Sequence, residues 1–183
     1  VSGEGKSNRG PSAGPENRRA LIAAAREIFA TAGYNAPLNA VAKRAGVGQG
    51  SLYRHFPTRT ALAVAVFDEN MTALEAIAAH PDATLDVLLD RVVEQALVST
   101  AFIDMLNADQ FGEGTAQLGA RLEAIVSALL ARDREAGRVG EQVEPADALL
   151  AIEMLADLLA RTPVERRAAT ASRARALFDA AFA

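Results

Sequence analysis

Between Leu38 and Phe56 two short helical segments are separated by only Gly46-Val47-Gly48, and that spacing constrains the chain more than any other feature. Helices joined so tightly must cross at close range, so a small residue belongs where they touch, and Ala42 supplies it. The turn needs a residue at home with positive φ, which Gly46 provides. Val47 is placed to plug the space beneath the turn. Leu52 and Phe56, four residues apart, give the second segment a buried side. Gln49, Ser51, Tyr53, Arg54 and His55 are left facing outward. All five carry hydrogen-bonding groups, a face suited to phosphates and to base edges in a major groove.

The rest of the 183-residue chain is patterned as helices. A stripe of Leu21, Ile22, Ala25, Ile28, Phe29 and Ala32 recurs at helical spacing, preceded by Pro15 and closed by Gly33. The second segment runs Leu38–Ala45, the third about Gln49–His55, ended by Pro57, and a long apolar helix follows over about 59–79. Further helices are predicted near 83–99, 101–109, 115–136, 145–161 and 164–182, punctuated by Pro81, Gly112, Gly114, Gly137, Gly140, Pro145 and Pro163. Half the residues are apolar, with Ala the largest share, and aromatics are 5%, which favours packed helices over a sheet. The expected fold is all-α: a disordered tail over 1–15, a three-helix domain over 16–60 and a helical body over 61–183.

Charge divides along the same line. Residues 1–60 hold nine Lys and Arg against three acids, whereas 61–183 hold ten basic and twenty acidic residues. A basic front on an acidic body suits a polyanion held at one end. Enzyme chemistry finds no support. There is no Cys, and the two His lie in contexts unlike a metal pair or a triad. Gly46, Gly48 and Gly50 lack the preceding strand and following Lys of a phosphate loop. No catalytic residue, metal or cofactor is expected. The polar N-terminus is unlike a signal peptide, and no apolar run approaches the roughly 20 residues that span a bilayer, so a cytoplasmic protein without membrane contact is expected.

The string A-K-R-A-G-V-G-Q-G-S-L-Y-R-H-F-P, Ala42 to Pro57, closely resembles the helix-turn-helix of the TetR family of transcriptional regulators, as does the amphipathic helix before it. The resemblance covers roughly 18–65. It implies a homodimer that binds double-stranded DNA, typically a repressor released from a palindromic operator by a small-molecule effector. Position by position, Tyr53 and His55 would contact the DNA backbone, and Gln49, Gly50, Ser51 and Arg54 would face the groove. Lys43 and Arg44 would add positive charge, and Arg59 would hold a phosphate at a helix N-terminus. Pro37 stands where the family often has a capping Thr, and Gln49 where Lys or Arg is frequent. Each residue keeps a plainer alternative: packing for Tyr53, and ordinary solvation for His55, Lys43 and Arg44.

The family's body dimerises and encloses a pocket. Leu149, Leu150, Ile152, Met154, Leu155, Leu158 and Leu159 make the 145–161 helix apolar over more than one side. With Ala171, Ala174 and Phe178 of the last helix, the residues Leu150, Met154 and Leu158 are the expected dimer face. Phe67, Met71, Leu74, Phe102, Met105, Leu106 and Phe111 are the candidate pocket walls, with Asp104, Asn107, Gln110 and Glu153 as sources of polarity. The competing reading is a helical ligand-binding or protein-interaction module that does not bind DNA; the polar and basic residues at 43, 44, 53, 54, 55 and 59 argue against it.

Overall fold

The computed structural model describes residues 13–98, 100–108 and 112–183. Among them the chain forms nine helices and no strand. These are α1 (Ala13–Ala32), α2 (Leu38–Ala45), α3 (Gln49–His55), α4 (Arg59–Ala78), α5 (Leu85–Val98), α6 (Ala101–Ala108), α7 (Glu113–Glu135), α8 (Pro145–Arg161) and α9 (Val164–Phe182). The sequence-predicted boundaries agree to within about two residues, and those of α2, α3, α8 and α9 coincide.

The punctuation acts through the backbone. Gly33, Gly46 and Gly137 are the positive-φ glycines among the described residues. At Gly46 (φ 66°) the Gly46 N–H donates to the Lys43 carbonyl and the Val47 N–H to the Ala42 carbonyl. That pair of bonds satisfies two carbonyls at the end of α2 and turns the chain into α3. Gly137 ends α7 in the same way, with Gly137 N–H donating to Arg134 and Arg138 N–H to Asp133. The Thr58 hydroxyl caps α4 by accepting from the Ala61 N–H at 3.0 Å. Pro145 opens α8, where the Asp147 carboxylate reaches back to the Glu144 N–H at 2.8 Å.

Helix α4 is the central element. It packs on α1 at the head end and on α5, α6 and α7 in the body, while α8 lies on α5, α6, α7 and α9. One apolar core runs from Leu21 of α1 through Leu52, Phe56, Leu62, Val66 and Met71 to Leu129, Leu130 and Ile152. A smaller one joins Ala96, Leu155, Leu159, Ala171 and Ala174. The α1 stripe is buried as expected at Leu21, Ile22, Ala25 and Phe29, but Ala32, the last residue of α1, is exposed.

Two neighbouring side chains of α7 hold the α4–α5 corner. Arg132 donates to the Ala78 and His80 carbonyls at 2.8 and 2.9 Å, placing a cation at the negative end of α4. Asp133, buried to 2% exposure, accepts from the Leu85 N–H at 2.7 Å, placing an anion at the positive end of α5. Arg138 donates to the other Asp133 oxygen at 2.7 and 3.0 Å, so the buried carboxylate is fully engaged.

Candidate nucleic-acid interface

Helices α2 and α3 form a tight pair whose inner side is apolar. Val41, Ala42, Leu52 and Phe56 are each at most 3% exposed, and Val47 packs against them from the turn. Burying one side of so short a helix fixes what remains outside. Gln49, Gly50, Tyr53 and Arg54 are exposed, and Ser51 is partly so. Tyr53 shows 53% of its surface. The Arg54 Nη2 donates to Ser51 Oγ at 3.2 Å, which holds the guanidinium over the outer face of α3. A Cβ added at Gly50 would meet nothing within 4 Å, so glycine there leaves a smooth patch open to solvent.

Other expected contacts are placed differently. His55 is half-buried, its ring 6.4 Å from that of Phe56, and its Nε2 is enclosed without a hydrogen-bond partner. The outward face is therefore narrower by that atom. Arg44 is exposed but paired with Glu27 of α1, its Nε donating to Glu27 Oε2 at 2.7 Å. Lys43 is exposed and has no ion pair among the described residues. Arg59 departs most from expectation: it turns inward, and its Nη1 donates to the Tyr34 carbonyl at 2.6 Å and to the Ala36 carbonyl. Asn39, which sequence reasoning passed over, lines a hollow of about 560 Å³ with Lys43, Val47, Gly48 and Gln49. Its spacing of four from Lys43 on α2 was the available signal.

A basic, polar helix presented by a rigid partner helix is the geometry that enters a major groove. Comparison with known proteins agrees. Residues 21–66 match the family model for bacterial regulatory proteins of the tetR family. A TetR transcriptional regulator from Streptomyces coelicolor has a similar structure, with 26% identity, a TM-score of 0.66, and 90% of this chain and 97% of that one covered. Residues 21–66 are thus a tetR-family regulatory segment, and the chain as a whole is similar in structure to TetR transcriptional regulators. A second TetR regulator, from Mycobacterium vanbaalenii, shares 26% identity at a TM-score of 0.61, covering 93% of this chain and 97% of that one. The reduced form of Escherichia coli NemR, at 18% identity and a TM-score of 0.66 over 91% of this chain and 97% of that one, shares the fold. Among curated proteins nothing matches.

The helical body departs from expectation in two places. Ala171 and Ala174 do not reach the surface: at 2% and 7% exposure they pack against Ala96, Leu155 and Leu159 within the subunit. Their small size lets α9 approach α5 and α8, and the outward side of α9 is carried by Leu177, 61% exposed, with Phe178 partly covered. On α8 the expected face is present, with Leu150, Met154 and Leu158 all exposed at spacings of four. A hollow of about 290 Å³ lies beside it, lined by Val143, Leu150, Met154, Phe178 and Phe182 among others.

The candidate pocket walls are, where described, core. Phe67, Met71 and Met105 are at most 5% exposed and Leu74 packs against them, and neither hollow described above is lined by these residues. The side chains of Phe102, Leu106 and Asn107, and Gln110 and Phe111 altogether, lie outside the described residues. Of the polar candidates, Glu153 is exposed, and Asp104 on α6 is partly buried, its carboxyl raised above the usual range by desolvation against an opposing pull from Arg167. No helix among the described residues is long and apolar enough to cross a membrane.

What sequence reasoning missed in the body is ionic. Arg121 of α7 grips α4: its Nε and Nη2 donate to the two oxygens of Glu75 at 2.7 and 2.8 Å, its Nη2 also to Thr72 Oγ1, and its Nη1 to Asp68. The hydrogen bond from Arg121 holds the Glu75 carboxyl below its ordinary value. Arg175 of α9, 9% exposed, pairs with Asp86 and Asp90 of α5 and with Asp179. Arg26 of α1 pairs with Glu69 of α4.

Proposed function

We propose that this regulator is a homodimeric repressor that binds a near-palindromic operator through α3 and is released by a small molecule. The observation that carries the DNA-binding part is the outer face of α3, where Gln49, Ser51, Tyr53 and Arg54 stand clear of a fully apolar inner side. Gln49 and Arg54 are the side chains for base edges; Tyr53, Lys43 and Arg44 are those for phosphates. The working division is a DNA-binding unit over 16–60 and a body over 61–183; of the tail expected over 1–15, residues 1–12 lie outside the described residues and 13–15 open α1.

The dimer rests on α8. Leu150, Met154 and Leu158 are large apolar side chains left uncovered along three successive turns, beside Leu177 of α9. An apolar stripe of this kind on an otherwise charged surface marks an interaction face. Paired with its own copy about a two-fold axis it makes a four-helix arrangement of α8 and α9 and sets two α3 helices about 34–36 Å apart, one DNA turn. An effector entering beside Phe67, Met71 and Met105 must part α4 from α6 and α7. It shifts DNA affinity only by as much as it favours one body arrangement over the other. A coupling of about 1–3 kcal/mol corresponds to roughly 5- to 150-fold.

Sedimentation of the full chain alone and with duplex DNA tests this reading. The expected result is a dimer, two chains per operator, and dissociation of both in Met154→Glu. A monomer that binds DNA one chain per site would contradict it.

A further inference from the structure

The side chain that opens α4 is aimed away from the outer face of α3. Arg59 follows the Thr58 cap and is half-buried. Its Nη1 donates to the Tyr34 carbonyl at 2.6 Å and to the Ala36 carbonyl, and its guanidinium carbon lies 5.6 Å from the centre of the Tyr34 ring. The next residue holds the same loop from another side, the Thr60 hydroxyl lying 3.1 Å from the Tyr34 hydroxyl. Tyr34 and Ala36 are themselves buried, at 5% and 4% exposure, and the Tyr34 ring leans on Phe29 at 6.0 Å. Two successive residues of α4 thus fasten the segment that leads from α1 into α2.

An arginine at a helix N-terminus next to a DNA-reading unit is an obvious phosphate ligand, but here that role has a cost. Swinging the guanidinium outward would strip two carbonyls of a charged donor and take the cation off the ring. We propose that Arg59 is a positioning residue: it locks α4 to the Tyr34–Ala36 loop and so sets the angle at which α3 is presented. The proposal rests on the reading of α3 as the DNA-contacting helix. It also supplies a path to the body. Farther along α4, Arg121 ties Asp68, Thr72 and Glu75 to α7, so a displacement of α4 against α7 is carried by the Arg59 lock into the loop before α2.

The test uses the full chain, the duplex that the wild type selects, and Arg59→Ala, Tyr34→Leu and the double variant, with binding followed over a range of salt. Removing the lock is expected to weaken binding roughly tenfold in Arg59→Ala, and less in Tyr34→Leu, which takes away the ring and its hydroxyl but leaves both carbonyls. The dependence on salt should stay that of the wild type, and the loss in the double variant should fall short of the product of the two. A phosphate contact at Arg59 predicts instead a salt slope shallower by about 0.9 in Arg59→Ala alone. It also predicts losses that multiply in the double variant, and that result would overturn the proposal. If Arg59→Ala does not fold, Arg59→Lys decides. It keeps the charge, so a phosphate contact predicts unchanged affinity, whereas the lock predicts the tenfold loss at unchanged slope. Hydrogen exchange without DNA gives a separate reading: the amides of Ala36 and Ala40, bonded to the Gly33 and Pro37 carbonyls, should exchange roughly tenfold faster in the variant. Unchanged protection there overturns the lock, whereas a wild type that selects no duplex overturns the reading of α3 and leaves the exchange result standing.

Discussion

The α2–α3 pair and the α4–α5–α7 corner are both tight junctions, yet they are built from different chemistry. In the first, Gly46 turns the chain, the backbone satisfies its own carbonyls, and Ala42, Val47, Leu52 and Phe56 close the space between the helices. In the second, charged side chains of α7 finish the helices it touches, Arg132 at the end of α4 and Asp133 at the start of α5, while Arg121 grips α4 along its side. The difference suits their tasks. A unit that presents one face to DNA gains from a dry, self-contained interior. On the proposed release by an effector, a body whose helices shift against one another gains from ties that salt and protons can loosen.

Four substitutions probe that contrast, and removing the apolar interior should cost most. Leu52→Ala empties the apolar interior of the first junction, where Leu52 is 1% exposed. Denaturant unfolding should show a loss of about 2–5 kcal/mol, felt first in α2 and α3. A loss under 1 kcal/mol would mean the unit is not held by its core. Asp133→Ala strips the second junction, leaving the Leu85 N–H without its carboxylate and Arg138 without its partner. About 1–3 kcal/mol should be lost, with hydrogen exchange rising at the start of α5 while α2 and α3 stay protected.

Gly46→Ala keeps every contact and changes only the backbone cost at φ 66°. It should cost about 1–2 kcal/mol, and an unaffected midpoint would show that the turn is not strained for other residues. The smallest effect is a pH dependence. The Glu75 carboxyl sits below its ordinary 4.5 because of Arg121, so its contribution is complete above about that pH and fades as pH falls through the lowered value. Glu75→Gln should therefore flatten the acid side of the stability curve and lessen its sensitivity to salt. The same slope in both proteins would leave Arg121 with no role in holding α4.

What could be read from the sequence follows the same division. Leu52 and Phe56 at a spacing of four, Gly46 beside a small Ala42, and Pro57 at the helix end are local patterns, and they placed α2 and α3 to the residue. The body's ties are not local. Arg121 meets Glu75 across 46 residues and Arg175 meets Asp86 across 89, and no periodicity links such partners before the helices are packed. Ala171 and Ala174 show the same limit in apolar form. Small residues at helical spacing permit close approach to a partner, but only the packing of α9 on α5 and α8 reveals that the partner is the subunit's own core. Likewise Arg59 matches a phosphate ligand in type and position, and only the folded chain reveals the loop carbonyls that engage it.

If the outer face of α3 reads DNA as proposed, selection from random duplex fragments by the purified chain should recover a motif with two-fold symmetry. Arg54→Ala and Tyr53→Ala, in protein that remains folded, should abolish it. Enrichment of the same motif by both variants, or none by the wild type at low salt, would contradict that reading.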